Sequence, residues 1–273
     1  MLPILFSIGP IKIYTFGVFF VLAFFWGSFL LWKLIRLTSF KEEEIFDGLF
    51  ISLASGLFFG RLFYVILNFS DFGFDFLKFI LINAYPGIFL YAALFGGFLG
   101  IFTFCLLKKL KFLFIVDYFI PPLFLALAFG KLGSFFSGAE VGVKTKFFLS
   151  VKYIGFDGLR HLTSFYESLF FFLGCYLAYK FLFMIRKDNL FYGFLLCFFT
   201  WYFSLIYFIF DKIKENDLYF SNLSINKTIS QIVLLITTIY FIFYFRDKII
   251  INLKKYGLFF KKIYKRTKTK IRK

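Results

Sequence analysis

The chain has 273 residues, 61% hydrophobic and 17% charged, with 52 Phe, 17 Tyr and a mean hydropathy of +0.84, whereas ordinary globular chains are roughly 45–50% apolar and about 25% charged. That composition excludes a disordered chain, a collagen-like repeat, a disulfide scaffold and a soluble nucleic-acid domain, and leaves a polytopic membrane protein. The net charge of +17 is concentrated, since residues 246–273 carry twelve Lys and Arg against Asp247 alone, a pattern that reads as a basic cytoplasmic tail on anionic lipid, with no nucleic-acid partner.

A membrane span needs about 20 apolar residues, and seven such runs follow in chain order: 14–32, 45–67, 86–107, 112–136, 163–185, 190–210 and 228–245. Backbone groups in lipid must be satisfied within each segment, so all seven are expected as helices. The expected architecture is all-α: a seven-helix transmembrane domain over 1–245, then the tail. Loop Lys and Arg number twenty-one on the side of the tail and nine on the other, which puts the tail in the cytoplasm and the N-terminus outside. The long outer stretches are then 68–85 and 137–162. Lys12 follows the apolar stretch 2–10 instead of preceding it, which argues against a cleaved signal peptide. Cys105, Cys175 and Cys197 lie inside apolar runs without metal-ligand spacing and read as packing residues.

Several polar residues stand out against this background. Arg61 lies about six residues inside the outer end of the second span, where an arginine either snorkels to the interface or meets an anion such as a lipid phosphate. Tyr91 lies inside the third span and leads into Ala92-Ala93-Leu94-Phe95-Gly96-Gly97, a helix-packing face by its small residues. Lys131 echoes Arg61, because Gly60-Arg61-Leu62 and Gly130-Lys131-Leu132 stand 70 residues apart; both cations on one leaflet can serve one phosphate. The single histidine, His161, sits at the outer mouth of the fifth span, either as a structural residue or as the natural proton acceptor there. Ser164 and Glu167 have the spacing of a capping box that starts that helix, and Glu167 can also hold a cation.

These pieces resemble the prolipoprotein diacylglyceryl transferase family. The resemblance rests on Gly9-Pro10 with Tyr14, on Asp47, on Gly60-Arg61-Leu62-Phe63-Tyr64, on Gly87 through Gly97 with Tyr91 where members carry His or Tyr, and on Arg160-His161 with Tyr166-Glu167. It covers about residues 5–240. Against the family signature Gly-Arg-x-Gly-Asn-Phe-x-Asn-x-Glu-x-x-Gly, the chain reads from Gly130 to Gly142 with Lys131, Ser134 and Ser137 in place of Arg and both Asn. Ala139 stands at the Glu position, with Glu140 beside it. In the sixth span, Ile206 and Phe210 stand where the family has arginine and glutamate, followed by Asp211 and Lys212, with no replacement arginine.

The resemblance implies a bacterial inner-membrane enzyme that moves a diacylglyceryl group from phosphatidylglycerol to the lipobox cysteine of a prelipoprotein signal peptide, with no metal or organic cofactor. It implies phospholipid binding by Arg61, Lys131 and Arg160, thiol deprotonation assisted by His161 or Tyr91, and pocket shaping by Tyr14, Tyr64, Ser134, Glu140, Gly142 and Glu167. Lysine supplies a point charge without the two-pronged fork of arginine. A non-catalytic, lipid-binding paralogue is the alternative, favoured by Ile206 and Phe210. A transporter, using Arg61 and Lys131 as substrate contacts, is the third reading.

Overall fold

A computed structural model describes residues 2–9, 11–82, 85, 87–215, 219–220 and 223–246; the basic tail from residue 247 lies outside them. Seven helices among the described residues are long and apolar enough to cross a membrane, and they correspond one to one with the seven expected spans.

The hairpin β1 (Ile4–Ile8) and β2 (Ile11–Tyr14) leads into α1 (Thr15–Ile35). A tight loop joins α1 to α2 (Glu42–Leu67), which begins three residues before its apolar run because Glu42, Glu43 and Glu44 suit the positive end of the helix dipole. Two short helices, α3 (Phe69–Phe72) and α4 (Phe76–Ile80), pack against α2 before α5 (Leu90–Leu107). The third span starts at Leu90, later than expected, since Gly87 is held at φ 145°, outside helical space. Then come α6 (Phe112–Ser137), the two-residue strands β3 (Ser150–Val151) and β4 (Arg160–His161), and α7 (Thr163–Arg186). After α8 (Phe194–Phe210) the span continues as a 3-10 turn to Ile213. Finally β5 (Tyr219–Phe220) and β6 (Leu223–Ser224) precede α9, Ile225–Arg246. All three hairpins are antiparallel two-stranded pieces, an addition to the all-α expectation.

Packing of α2 on α5 rests on small residues. Gly56 and Gly60 face Ala93 and Gly97, Gly96 and Gly100 face Ser55, and the hydroxyls of Ser52 and Ser55 each donate 2.8 Å hydrogen bonds to the carbonyls of Gly97 and Gly96, the close-approach geometry of membrane helix pairs. Between α6, α7 and α8 the core is aromatic: the Phe124 ring lies 5.0 Å from Phe199, 5.7 Å from Tyr202 and 6.0 Å from Phe198. At the end of the bundle away from the mouth, Asp117 of α6 is buried and accepts from the amides of Gly193 (2.6 Å) and Leu195 (3.0 Å). It caps α8 from a neighbouring helix, and this delays the sixth span to residue 194. The polar path expected of a transporter meets this satisfied cap and then the aromatic core.

Candidate active site at the mouth of the bundle

Lys131 stands near the end of α6, 4% exposed. Its ammonium donates to both oxygens of Glu140 at 2.9 and 2.8 Å and lies 2.6 Å from Glu167 Oε2, an ion pair close in distance but not aligned as a hydrogen bond. Isolated charges in such a place cost several kcal/mol and persist only when paired. Glu140 takes a second cation, Lys214 Nζ at 2.8 Å, and the Ser164 hydroxyl at 3.0 Å. Tyr207 of α8 underlies both ammonium groups, with Lys131 Nζ 5.1 Å and Lys214 Nζ 5.7 Å from its ring centre. Tyr91 lies edge-on to Tyr207 at 5.6 Å, and its hydroxyl bonds that of Ser230 in α9. Residues from α5, α6, α7, α8, α9 and two loops therefore meet at one point.

Burial alone pushes the Glu140 carboxyl up, but Lys131 and Lys214 override it and hold the group well below the usual carboxylate range. Burial likewise lowers Lys214, and the charge of Glu140 outweighs it, so that ammonium is held above its ordinary value. Burial, aided by Glu140, pushes the Tyr153 phenol up to about 12. That phenol donates to the His161 carbonyl at 3.3 Å.

Lys214 is the cation of this cluster that the sequence concealed. Lys212 is exposed, whereas a strand-like crossing turns Lys214 inward: Gly142 bridges Lys214, with Val143 N on Ile213 O and Glu215 N on Val141 O, both at 3.0 Å. A side chain on Gly142 would collide with the His161 carbonyl, so the signature's final glycine lets three backbone segments cross. An isolated bridge between residues this distant leaves no periodic trace in sequence. Glu140, beside Ala139, reaches Lys131 because α6 is capped by Gly138, φ 74°, and the turn after it brings the carboxylate round.

The other expected residues fall into distinct places. Arg61 is 2% exposed, and its Nε, Nη1 and Nη2 donate to the carbonyls of Phe79 (2.9 Å), Gly87 (2.9 Å) and Lys78 (2.6 Å). It ties α4 and the following segment to α2, and its partners are not those of Lys131, whose companion cation is Lys214. Tyr64 packs edge-on against Phe72 at 5.9 Å and against Gly87. Arg160 is 7% exposed, donates to Gly142 O at 3.0 Å, pairs with Glu215 at 2.6 Å, and lies 4.7 Å above the Phe156 ring. His161 is half-buried with its ring 6.0 Å from that of Phe147, and Arg160 Nε, His161 Nδ1 and Thr163 Oγ1 are buried without a hydrogen-bond partner among the described residues. Ser134 is buried one turn after Lys131, while Tyr14 is 58% exposed as the N-cap of α1. The capping-box expectation is corrected: α7 starts at Thr163 with Leu162 as its N-cap, which places Ser164 inside the helix and directs its hydroxyl to Glu140 and Glu167 to Lys131. Ile206 and Phe210 are buried, with Phe210 packed on Tyr166 and Phe170.

Comparison with known proteins agrees with this architecture. The family model for prolipoprotein diacylglyceryl transferase matches residues 3–244. Three relatives named phosphatidylglycerol–prolipoprotein diacylglyceryl transferase are similar to the chain. That of Fusobacterium nucleatum is 30% identical over 152 residues, covering 53% of this chain and 50% of the relative, so the chain spans about half its length. That of Finegoldia magna is 26% identical over 226 residues (82% and 88%), and that of Rickettsia bellii is 28% identical over 254 residues (88% and 94%). With a match that runs from β1 into α9 and takes in every helix that builds the mouth, the chain belongs to the prolipoprotein diacylglyceryl transferase family.

Proposed function

We propose that the protein transfers the diacylglyceryl group of phosphatidylglycerol to the lipobox cysteine of a prelipoprotein, in the bacterial inner membrane, with the mouth facing outward and the tail in the cytoplasm. The observation that carries the reading is the convergence of Lys131 and Lys214 over the Tyr207 ring, with Tyr91 edge-on to it, which holds two ammonium groups within reach of one phosphate. In the reaction the thiol loses its proton, its sulfur attacks the terminal glycerol carbon, and the carbon–oxygen bond to phosphate breaks as glycerol phosphate leaves. Stabilising charge on a leaving group is commonly the largest catalytic contribution, and here it falls to the two lysines, with Glu140 and Glu167 setting their positions. His161 is the first candidate for the base that takes the thiol proton, with Tyr91 the second. Its unpartnered Nδ1, with Arg160 Nε and Thr163 Oγ1, supports a substrate contact there, because buried polar atoms ordinarily find partners. Arg61 and Tyr64 contribute by fixing the segment over the mouth.

The test is transfer of a labelled diacylglyceryl group from phosphatidylglycerol to a lipobox peptide by the purified protein. Lys131→Gln and Lys214→Gln each lower kcat by about 100-fold. His161→Ala is slow at neutral pH and recovers as the pH approaches the ordinary thiol value of about 8.5. Absence of transfer, under conditions where a relative from another bacterium works, would overturn the reading in favour of a lipid-binding paralogue, which the apolar Ile206 and Phe210 would then explain.

A further inference from the structure

At the end of the bundle opposite the mouth, a cavity of about 600 Å³ opens between the α1–α2 loop, the α5–α6 turn and the α7–α8 loop, within the size range of ligand pockets, about 300–1,000 Å³. Lys109, Lys111 and Arg186 rim it, Tyr118 and Tyr192 line it with phenols, and Leu37, Phe40 and Phe114 give it apolar wall. None of the three cations is ion-paired among the described residues. Asp117 also lines the cavity, and its two oxygens accept from the amides of Gly193 and Leu195 at the start of α8.

The backbone supplies a second observation. Lys109 (φ 56°) and Asp188 (φ 55°) are the non-glycine residues held in left-handed conformation among the described residues. Both end a helix in the same double-bonded turn. Lys109 N meets Leu106 O at 3.2 Å with Leu110 N on Cys105 O at 2.8 Å; Asp188 N meets Ile185 O with Asn189 N on Met184 O, both at 3.0 Å. Glycine is the usual residue at that position because it alone adopts the conformation without strain. Lys109 holds that strained position at the rim of a cavity that Lys111 and Arg186 also rim, the Arg186 guanidinium lying 5.8 Å from the Phe183 ring centre.

We infer that this cavity binds the phosphate-bearing headgroup of an anionic phospholipid from the leaflet that bounds the end of the bundle opposite the mouth. Basic pockets between helices at a cytoplasmic face are suited to such headgroups. Leu37 and Phe114 offer the glycerol and first methylenes an apolar surface that a free phosphate would not use.

The test is native mass spectrometry of the full chain in detergent, titrated with phosphatidylglycerol, with phosphatidylcholine of the same chains, and with glycerol 3-phosphate. The wild type retains one more phosphatidylglycerol than the Lys109→Gln/Lys111→Gln/Arg186→Gln triple variant, each removed charge weakening that site by about fivefold. Phosphatidylcholine shows no difference between the two, and glycerol 3-phosphate does not compete. Lys109→Gly, which suits the backbone and removes one cation, weakens retention while raising the thermal midpoint, so a folding defect is separable from loss of the ligand. Equal retention by wild type and variants overturns the inference, as does glycerol 3-phosphate binding as tightly as the lipid. Failure of diacylglyceryl transfer leaves it standing, because Lys131→Gln/Lys214→Gln abolishes the lipid contact at the mouth and spares this one.

Discussion

Glu140 ties the charges of the mouth together: it holds Lys131, Lys214 and Ser164 at once. Its carboxyl is depressed in the folded state, so it contributes stability above the ordinary unfolded value of about 4.3, and that contribution is lost as the pH falls through the lower folded value. Lys214 is raised, so its contribution is complete below about 10.4 and lost as the pH rises beyond it. Between these limits the cluster keeps its charges. Thermal unfolding in detergent should therefore vary little with pH from about 5 to 10 on account of this pair and steepen below about 4; Glu140→Gln should flatten the acid limb. Glu167, 1% exposed on the same ammonium, should be the costlier loss, with Glu167→Gln destabilising by about 3 kcal/mol because it leaves a buried cation short of a counter-charge, measurable as a lowered midpoint in the same experiment. Lys131 was legible in the sequence as a cation out of place in an apolar run, Glu167 as half of an expected helix-start pair, and Tyr91 and Glu140 through the family resemblance. Lys214 was not, since a lysine in a polar loop has no such contrast.

Helix pairs and caps carry the next level. The seven spans could be read from hydropathy because lipid leaves the chain so few alternatives, and the departures were all at ends, where local contacts decide: Gly87 delays α5, Asp117 delays α8, and three glutamates advance α2. Asp117 should be worth about 1–2 kcal/mol as a cap, so Asp117→Ala lowers the midpoint while Asp117→Asn, which keeps one acceptor, recovers part of it. Between α2 and α5, a side chain on Gly96 would meet the Ser55 carbonyl at 2.8 Å and the Phe59 side chain. Gly96→Val should destabilise by about 1–3 kcal/mol through overpacking and loosen the segment that Arg61 holds, read as faster proteolysis between residues 72 and 89. The two-residue strands and isolated bridges at the mouth escaped sequence analysis for the same reason that they matter: they are single crossings between distant segments, with no period to detect.

The whole molecule has two chemically unlike ends. At one, Lys131 and Glu167 are buried and paired with each other and, through half-buried Glu140, with Lys214; at the other, Lys109, Lys111 and Arg186 stand without ion pairs among the described residues around a cavity. The orientation proposed from loop charge makes the first end the outer one. Cysteine introduced at Asp157 should react with an impermeant maleimide added to spheroplasts, and cysteine at Lys187 only after lysis, with the native cysteines removed; the reverse pattern would invert the molecule. The crossing of Gly142 with Lys214 bears on how relatives of this protein are to be compared. A charge carried by a loop across a backbone bridge is free to stand in for one carried by a helix, since a phosphate responds to distance and not to chain position. A reading by chain position alone passes over Lys214 in its polar loop, and a reading by distance to Glu140 finds it.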